Sequence, residues 1–210
     1  MDGQSVAVAV VIPKRELLDK VRALMESVSI PMDAYATPHE YLDRRESFQA
    51  SCLLLTVRMP QMSGLELLRR LQDRPDAPPA IFLAEQADVP TAVEAMRQGA
   101  FDFLQTPVSE QHLLDRVNAA VRKHRELQEE AAVRTEAAAR FRGLSPKEMA
   151  VLHRVTAGAM SKEIAREMGI SLKTVEFHRA NVMRKVGVDT VARLVYYYLV
   201  AGLAAETEQI

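Results

Sequence analysis

Over the first 124 residues, short continuous apolar runs alternate with stretches whose apolar positions recur at helical spacing. Ser5–Ile12 is a valine-rich apolar run, the pattern of a strand buried on both faces. Arg15–Val28 follows, with Leu17, Leu18, Val21, Leu24 and Met25 on one helical face. The same reading predicts strands at Asp33–Ala36, Ser51–Thr56, Ala80–Ala84 and Phe101–Leu104. Helices are predicted between them at Pro38–Arg44, Ser63–Gln72 and Val89–Arg97, with a last one beginning at Ser109. Such a β-α-β-α rhythm builds an open, doubly wound parallel sheet with helices on both faces.

From Glu110 to Phe141 neither Gly nor Pro interrupts the chain, and Glu130/Arg134 and Glu136/Arg140 are ion pairs at i,i+4 in the favourable order. Leu113, Val117, Ala120, His124, Leu127, Ala131, Arg134, Ala138 and Phe141 alternate at spacings of four and three, as in a coiled-coil seam that His124 and Arg134 weaken. A solvated helical linker and a two-stranded contact both fit this pattern. A single helix through it would measure roughly 45–50 Å. Gly143 ends the helix, and Ser145 and Pro146 offer an N-cap and a first turn for the next. Helical patterns then fill Pro146–Thr156, Ser161–Met168, Leu172–Val186 and Thr190–Leu203, punctuated by Gly158, Gly169 and Gly187. The expected division is an α/β domain over residues 1–124, a helical linker over 125–142 and a small all-α domain over 143–210.

The 210 residues carry a net charge of −1, so no global basic field announces nucleic acid. The distribution says more: residues 143–210 hold 9 Lys/Arg against 7 Asp/Glu, whereas residues 1–124 hold 14 against 17. Cys52 is the lone cysteine and falls in an apolar strand, so it reads as a buried, inert thiol rather than half of a disulfide. The start Met1-Asp2-Gly3-Gln4 lacks the basic region of a signal peptide, and no apolar run is long enough to span a bilayer. A cytoplasmic location is the expectation.

Cys52–Leu67 carries the densest information: an apolar strand ends on Thr56, and Met59-Pro60-Gln61-Met62-Ser63-Gly64 follows. Ala80–Ala84 and Gly99-Ala100-Phe101-Asp102-Phe103-Leu104-Gln105-Thr106-Pro107 lie in register with it. Residues 5–124 thereby resemble the receiver domain of bacterial response regulators, which implies a five-stranded, flavodoxin-like parallel sheet. In that family the third strand ends on a phosphate-accepting aspartate, and an acidic pair ends the first. A Ser/Thr ends the fourth strand, and a lysine precedes the proline after the fifth. Here the acceptor position is Thr56, and the acidic pair falls on Ile12 and Pro13, or on Pro13 and Lys14 with a slip of one. The hydroxyl position is Ala84 and the lysine position is Thr106. Magnesium needs oxygen ligands, chiefly carboxylates, which Ile12, Pro13 and Thr56 do not supply. Without metal or lysine, nothing neutralises a transferring phosphoryl group. The resemblance makes Phe103 the switch aromatic. Either Phe103 simply packs, or the small Ala84 leaves room beneath it that locks the ring in one rotamer.

The second domain is legible from its residues. Ile164 and Ala165, a turn at Gly169, then Val175 and Val182 describe two helices packed through small apolar contacts. The second helix presents Lys173, Arg179, Arg184 and Lys185 against the single carboxylate Glu176, with His178 in addition. Leu144-Ser145-Pro146-Lys147-Glu148, Gly158, Ser161-Lys162-Glu163-Ile164-Ala165, Gly169-Ile170-Ser171, Thr174-Val175, His178-Arg179 and Lys185 resemble the LuxR-type helix-turn-helix of FixJ/NarL response regulators. One departure is Lys147, where arginine is commoner. The resemblance implies that Leu172–Val186 enters the major groove. Ser161, Lys162, Lys173, Thr174, Arg184 and Lys185 are assigned to phosphates. Glu176, Phe177, Arg179 and Ala180 are assigned to bases or the groove wall, and His178 lies near the backbone, where a packing role fits at least as well as a contact. The last helix is apolar or aromatic all round, and Tyr196, Tyr197 and Val200 are its candidate dimer contacts.

The expected function is a cytoplasmic, phosphorylation-independent transcription regulator that binds a dyad-symmetric operator as a homodimer, with no cofactor and no metal. The alternative is an interaction module in which the receiver-like domain docks or titrates a kinase, another regulator or an unknown ligand. No metal-ligand cluster, nucleophile–base pair or phosphate-cradling glycine loop in the sequence suggests an enzyme.

Overall fold

The computed structural model describes residues 7–44, 49–72, 74, 76–85 and 89–204. Ser5 and Val6 of the first predicted strand, and the Met1–Gln4 start, lie outside the described residues. The chain forms two compact units, Met1–Gln128 and Glu129–Ile210.

In the first unit, β1 (Val8–Val11), α1 (Arg15–Ser27), β2 (Met32–Tyr35), α2 (Pro38–Arg44), β3 (Cys52–Thr56), α3 (Gly64–Gln72), β4 (Ala80–Ala84), α4 (Val89–Arg97) and β5 (Asp102–Gln105) alternate as expected. The strands form one parallel sheet in the order β2-β1-β3-β4-β5. Because side chains alternate across a strand, each strand feeds two cores. Val8, Val10, Leu54, Ile81 and Leu83 face one with Val21, Leu24 and Met25 of α1. Ala9, Val11, Leu53, Leu55 and Phe82 face the other with Tyr41 of α2, Leu67 and Leu71 of α3 and Ala95 of α4. The second and fifth strands sit one residue away from their predicted positions, β2 earlier and β5 later. Register explains both: Tyr35, 1% exposed, pairs with Val11, and Phe103 pairs with Phe82.

The uninterrupted stretch after Ser109 is α5 (Glu110–Ala139), 30 residues long, which at 1.5 Å per residue is about 45 Å. Its four-three pattern is not one seam. Leu113, Val117 and Ala120 belong to the sheet's own core, and Phe141 belongs to the core of the second unit. Between them Leu127 is exposed and His124 half-buried. The periodicity therefore records two intramolecular cores, which satisfy at both ends the apolar positions that a two-stranded contact would need.

The second unit continues with α6 (Pro146–Thr156), α7 (Ser161–Met168), α8 (Leu172–Val186) and α9 (Val191–Val200) around Val151, Leu152, Ile164, Val175, Val182 and Leu194. Ser145 caps α6 through a reciprocal box with Glu148, an arrangement worth about 1 kcal/mol for the cap alone. Gly169, at φ 63°, ends α7 in the left-handed conformation that turns the chain into α8.

Candidate nucleic-acid interface and acceptor corner

Ser171 starts α8 by accepting from the Thr174 N–H at 3.1 Å, and the Ser171 and Thr174 hydroxyls share a hydrogen bond at 2.8 Å. Val175, Val182 and Val186 bury one face of this helix against α6 and α7. The opposite face carries Lys173, Phe177, Ala180 and Arg184, at successive spacings of four, three and four. Phe177 is 63% exposed on this face. Glu176 lies beside this stripe; it, Lys173 and Lys162 are exposed and have no side-chain partner among the described residues. Arg184 donates to Asn181 Oδ1 at 2.9 Å, which extends its guanidinium along the same face.

Besides Thr174, whose hydroxyl bonds Ser171, four residues assigned from sequence to DNA have other engagements: Ser161, His178, Arg179 and Lys185. Arg179 donates to Ser161 Oγ at 3.0 Å and so ties α8 to the start of α7. Lys185 is held by Glu148 at 2.7 Å and by the Gly143 carbonyl at 3.1 Å, inside its own unit. His178 is half-buried with its ring edge-on to Phe177 at 5.8 Å, a packing position. The outer stripe therefore reduces to Lys173, Glu176, Phe177, Ala180 and Arg184, with Lys162 at the start of α7.

On α9 the free face differs from the expected one. Tyr198 is buried, donating to the Leu203 carbonyl at 3.1 Å, and Tyr197 is covered by the Arg140 guanidinium 4.3 Å from its ring centroid. Tyr196 and Leu199, 58% and 59% exposed, form the open apolar face, with Val200 half-buried beside them. Leu199 was missed by the sequence reading, although its spacing of three from Tyr196 is the signal that places both on one face.

In the first unit, the residues aligned to the acceptor site gather at the carboxyl ends of β1, β3, β4 and β5. Ile12 is 1% exposed and packs in the sheet's core, whereas Pro13 is exposed. Thr56 is half-buried, its hydroxyl 3.3 Å from the Arg58 carbonyl that accepts from it. Ala84 is buried and its carbonyl accepts from the Thr106 N–H at 2.9 Å. Across this corner Lys14 pairs with Glu85 at 2.5 Å, a contact that sequence spacing could not show. The hydrogen bond first, and the charge second, raise the Lys14 ammonium above its ordinary pKa. Phe103 lies half-buried and nearly parallel to Phe82, 5.9 Å between centroids and 19° between planes. Its ring is held by this aromatic neighbour, an anchor the Ala84 argument does not contain. Among the described residues no group of three or more His, Cys, Asp or Glu is placed to hold a metal ion.

Residues 8–118 match the family described as response regulator receiver domain, and residues 142–198 match bacterial regulatory proteins of the luxR family. The transcriptional regulatory protein TdiR of Thauera aromatica is 36% identical over 197 residues, 94% of this chain and 87% of that protein. The transcriptional regulatory protein FixJ of Bradyrhizobium diazoefficiens is 35% identical over 185 residues, 88% of this chain and 90% of that one. Among solved structures, the response regulator StyR superposes with a TM-score of 0.74 at 33% identity, covering 92% of this chain and 98% of the other.

Proposed function

The chain belongs to the response regulators that join a receiver domain to a LuxR-type helix-turn-helix, and from that premise we propose that it binds its operator without phosphoryl transfer to the receiver unit. That it is a DNA-binding transcriptional response regulator of the FixJ type follows from the family. The acceptor corner carries the finer reading. Ile12 is committed to the core and Thr56 offers a neutral hydroxyl; of the charges that border the corner among the described residues, Lys14 and Glu85 pair with each other, and Arg58 is a cation that cannot hold a metal. A phosphoryl group would meet no metal-binding carboxylate pair at these positions.

The chain acts as a homodimer on a dyad-symmetric site. Two exposed apolar faces support this: Tyr196 and Leu199 on α9, and Val89, Val93 and Met96 on α4, at spacings of four and three. The α4 face equally suits a heterologous regulatory protein, which keeps the interaction-module reading in view. Operator titrations of untreated protein, and of protein incubated with acetyl phosphate and magnesium, test the proposal. Equal affinity is expected, and a gain after treatment would overturn it.

A further inference from the structure

Two cavities open at the carboxyl end of the first unit's sheet and share Leu17, Leu83 and Glu85 as walls. One, of about 430 Å³, is walled by Val21, Leu24, Val108 and Leu113 between α1 and α5. The other, of about 380 Å³, is bordered by Lys14, Thr56 and Arg58. Volumes in this range suit a small organic ligand. The position is also the one that doubly wound sheets favour, beyond the carboxyl ends of the strands where β1 and β3 part.

We propose that the adjoining cavities bind a small carboxylic acid with an aliphatic or aromatic body, its carboxylate on Arg58, Lys14 and the Thr56 hydroxyl and its body against Leu17, Val21, Leu83 and Leu113. The polar groups argue for the charge of the head. The Arg58 guanidinium is exposed and has no partner among the described residues, and its fork of donors matches a carboxylate. The Thr56 hydroxyl sits 3.3 Å from its acceptor, long for an O–H···O bond, so it is free to turn toward an anion.

The carboxylates nearby do not favour a cationic ligand instead. Glu16 is tied to Lys20 at 2.9 Å and Glu85 to Lys14 at 2.5 Å. Glu110 borders only the apolar cavity and lies in the first turn of α5, where the helix dipole already favours its charge. The Lys14 ammonium has three donors, so it keeps Glu85 and shares a donor with the bound carboxylate, which couples occupancy to the tie between the loop after β1 and the end of β4. That makes the cavity an effector site. It stands apart from the phosphorylation and dimer readings, because binding is measured on the chain without DNA.

Calorimetric titration of the full chain with octanoate and phenylacetate tests it, beside octanamide, phenylacetamide, octylamine and inorganic phosphate. Both acids are expected to saturate one site, with the amides and octylamine about tenfold weaker. Arg58→Ala, at an exposed position, should weaken the acids about tenfold and leave the amides unchanged. Leu17→Trp, at a half-buried position shared by both cavities, should abolish binding of acid and amide alike, with its melting curve confirming a folded chain. The proposal falls if neither acid saturates, if octylamine or phosphate binds as tightly as the acids, or if Arg58→Ala leaves acid affinity unchanged.

Discussion

The Lys185 ammonium lies 2.7 Å from Glu148 Oε2 and joins the end of α8 to the first turn of α6. Glu148 is 4% exposed, and Ser145 N–H donates to the same carboxylate at 2.8 Å. The Lys185 hydrogen bond first, and the Ser145 backbone second, lower the Glu148 pKa from 4.5 to about 2. A carboxylate whose folded pKa is depressed stabilises fully above its unfolded value and loses that contribution as pH falls through the folded one. The melting temperature of the second unit should therefore decline as pH drops from 4.5 toward 2. Glu148→Gln should lower it at neutral pH and flatten the decline, as followed by circular dichroism; an equally steep decline in the variant would contradict the assignment.

Arg184 and Glu176 border the same outer stripe of α8 but are assigned different work. Arg184→Ala should weaken binding to every sequence and reduce the salt slope by about one phosphate contact. Glu176→Ala removes an acceptor suited to a cytosine amino group, so it should relax sequence preference while leaving non-specific affinity equal or higher. Competition titrations with operator and random duplex separate the two outcomes.

How much of this was legible beforehand divides along the range of the interactions. The alternation of runs in the first 124 residues and the turn at Gly169 are local signals, and the structure follows them closely. The strand ends on which Thr56 and Ala84 lie were likewise readable, and the sheet's register places them side by side. Contacts between distant residues were not. Lys14 meets Glu85 across 71 positions and Lys185 meets Glu148 across 37, so the sequence offers Lys185 as a phosphate contact and does not show its tie within its own unit. The four-three pattern of α5 leaves a solvated linker and a two-stranded contact open for a related reason: periodicity shows that a face is buried, not what buries it.

Thr56→Asp alone should not restore phosphoryl transfer. Ile12 is buried where the family has a carboxylate, and Glu85, which borders the same cavity as Thr56, is held by Lys14 rather than free for a metal. Intact mass after acetyl phosphate treatment with magnesium should show no alkali-labile phosphate on the wild type or on Thr56→Asp. A stoichiometric adduct on either would overturn the account of this corner.

Gly64 tests the loop that shapes the end of β3. A Cβ built there would lie 2.3 Å from the Thr56 carbonyl oxygen and 2.8 Å from Phe82 Cε1. Backbone and a fully buried ring both resist displacement, so Gly64→Ala should destabilise the first unit by about 1–3 kcal/mol. Chemical denaturation would measure it, and a change near zero would mean that the loop yields.

Assembly depends on which apolar face finds a partner. On α9 the free face is Tyr196 with Leu199, because Arg140 occupies Tyr197 and the core occupies Tyr198. On α4 it is Val89, Val93 and Met96. Two helix-turn-helix units brought together raise each other's effective concentration at a pair of half-sites, so the dimer contact appears as cooperativity rather than as single-site affinity. Leu199→Asp should abolish cooperative binding to paired half-sites while binding to an isolated half-site stays unchanged. Met96→Asp should separately shift the chain toward monomer in light scattering without DNA. A variant pair in which Leu199→Asp leaves cooperativity intact and Met96→Asp removes it would move the contact entirely to the receiver unit. If both variants match the wild type in both measurements, the homodimer reading fails and the α4 face belongs to a different protein.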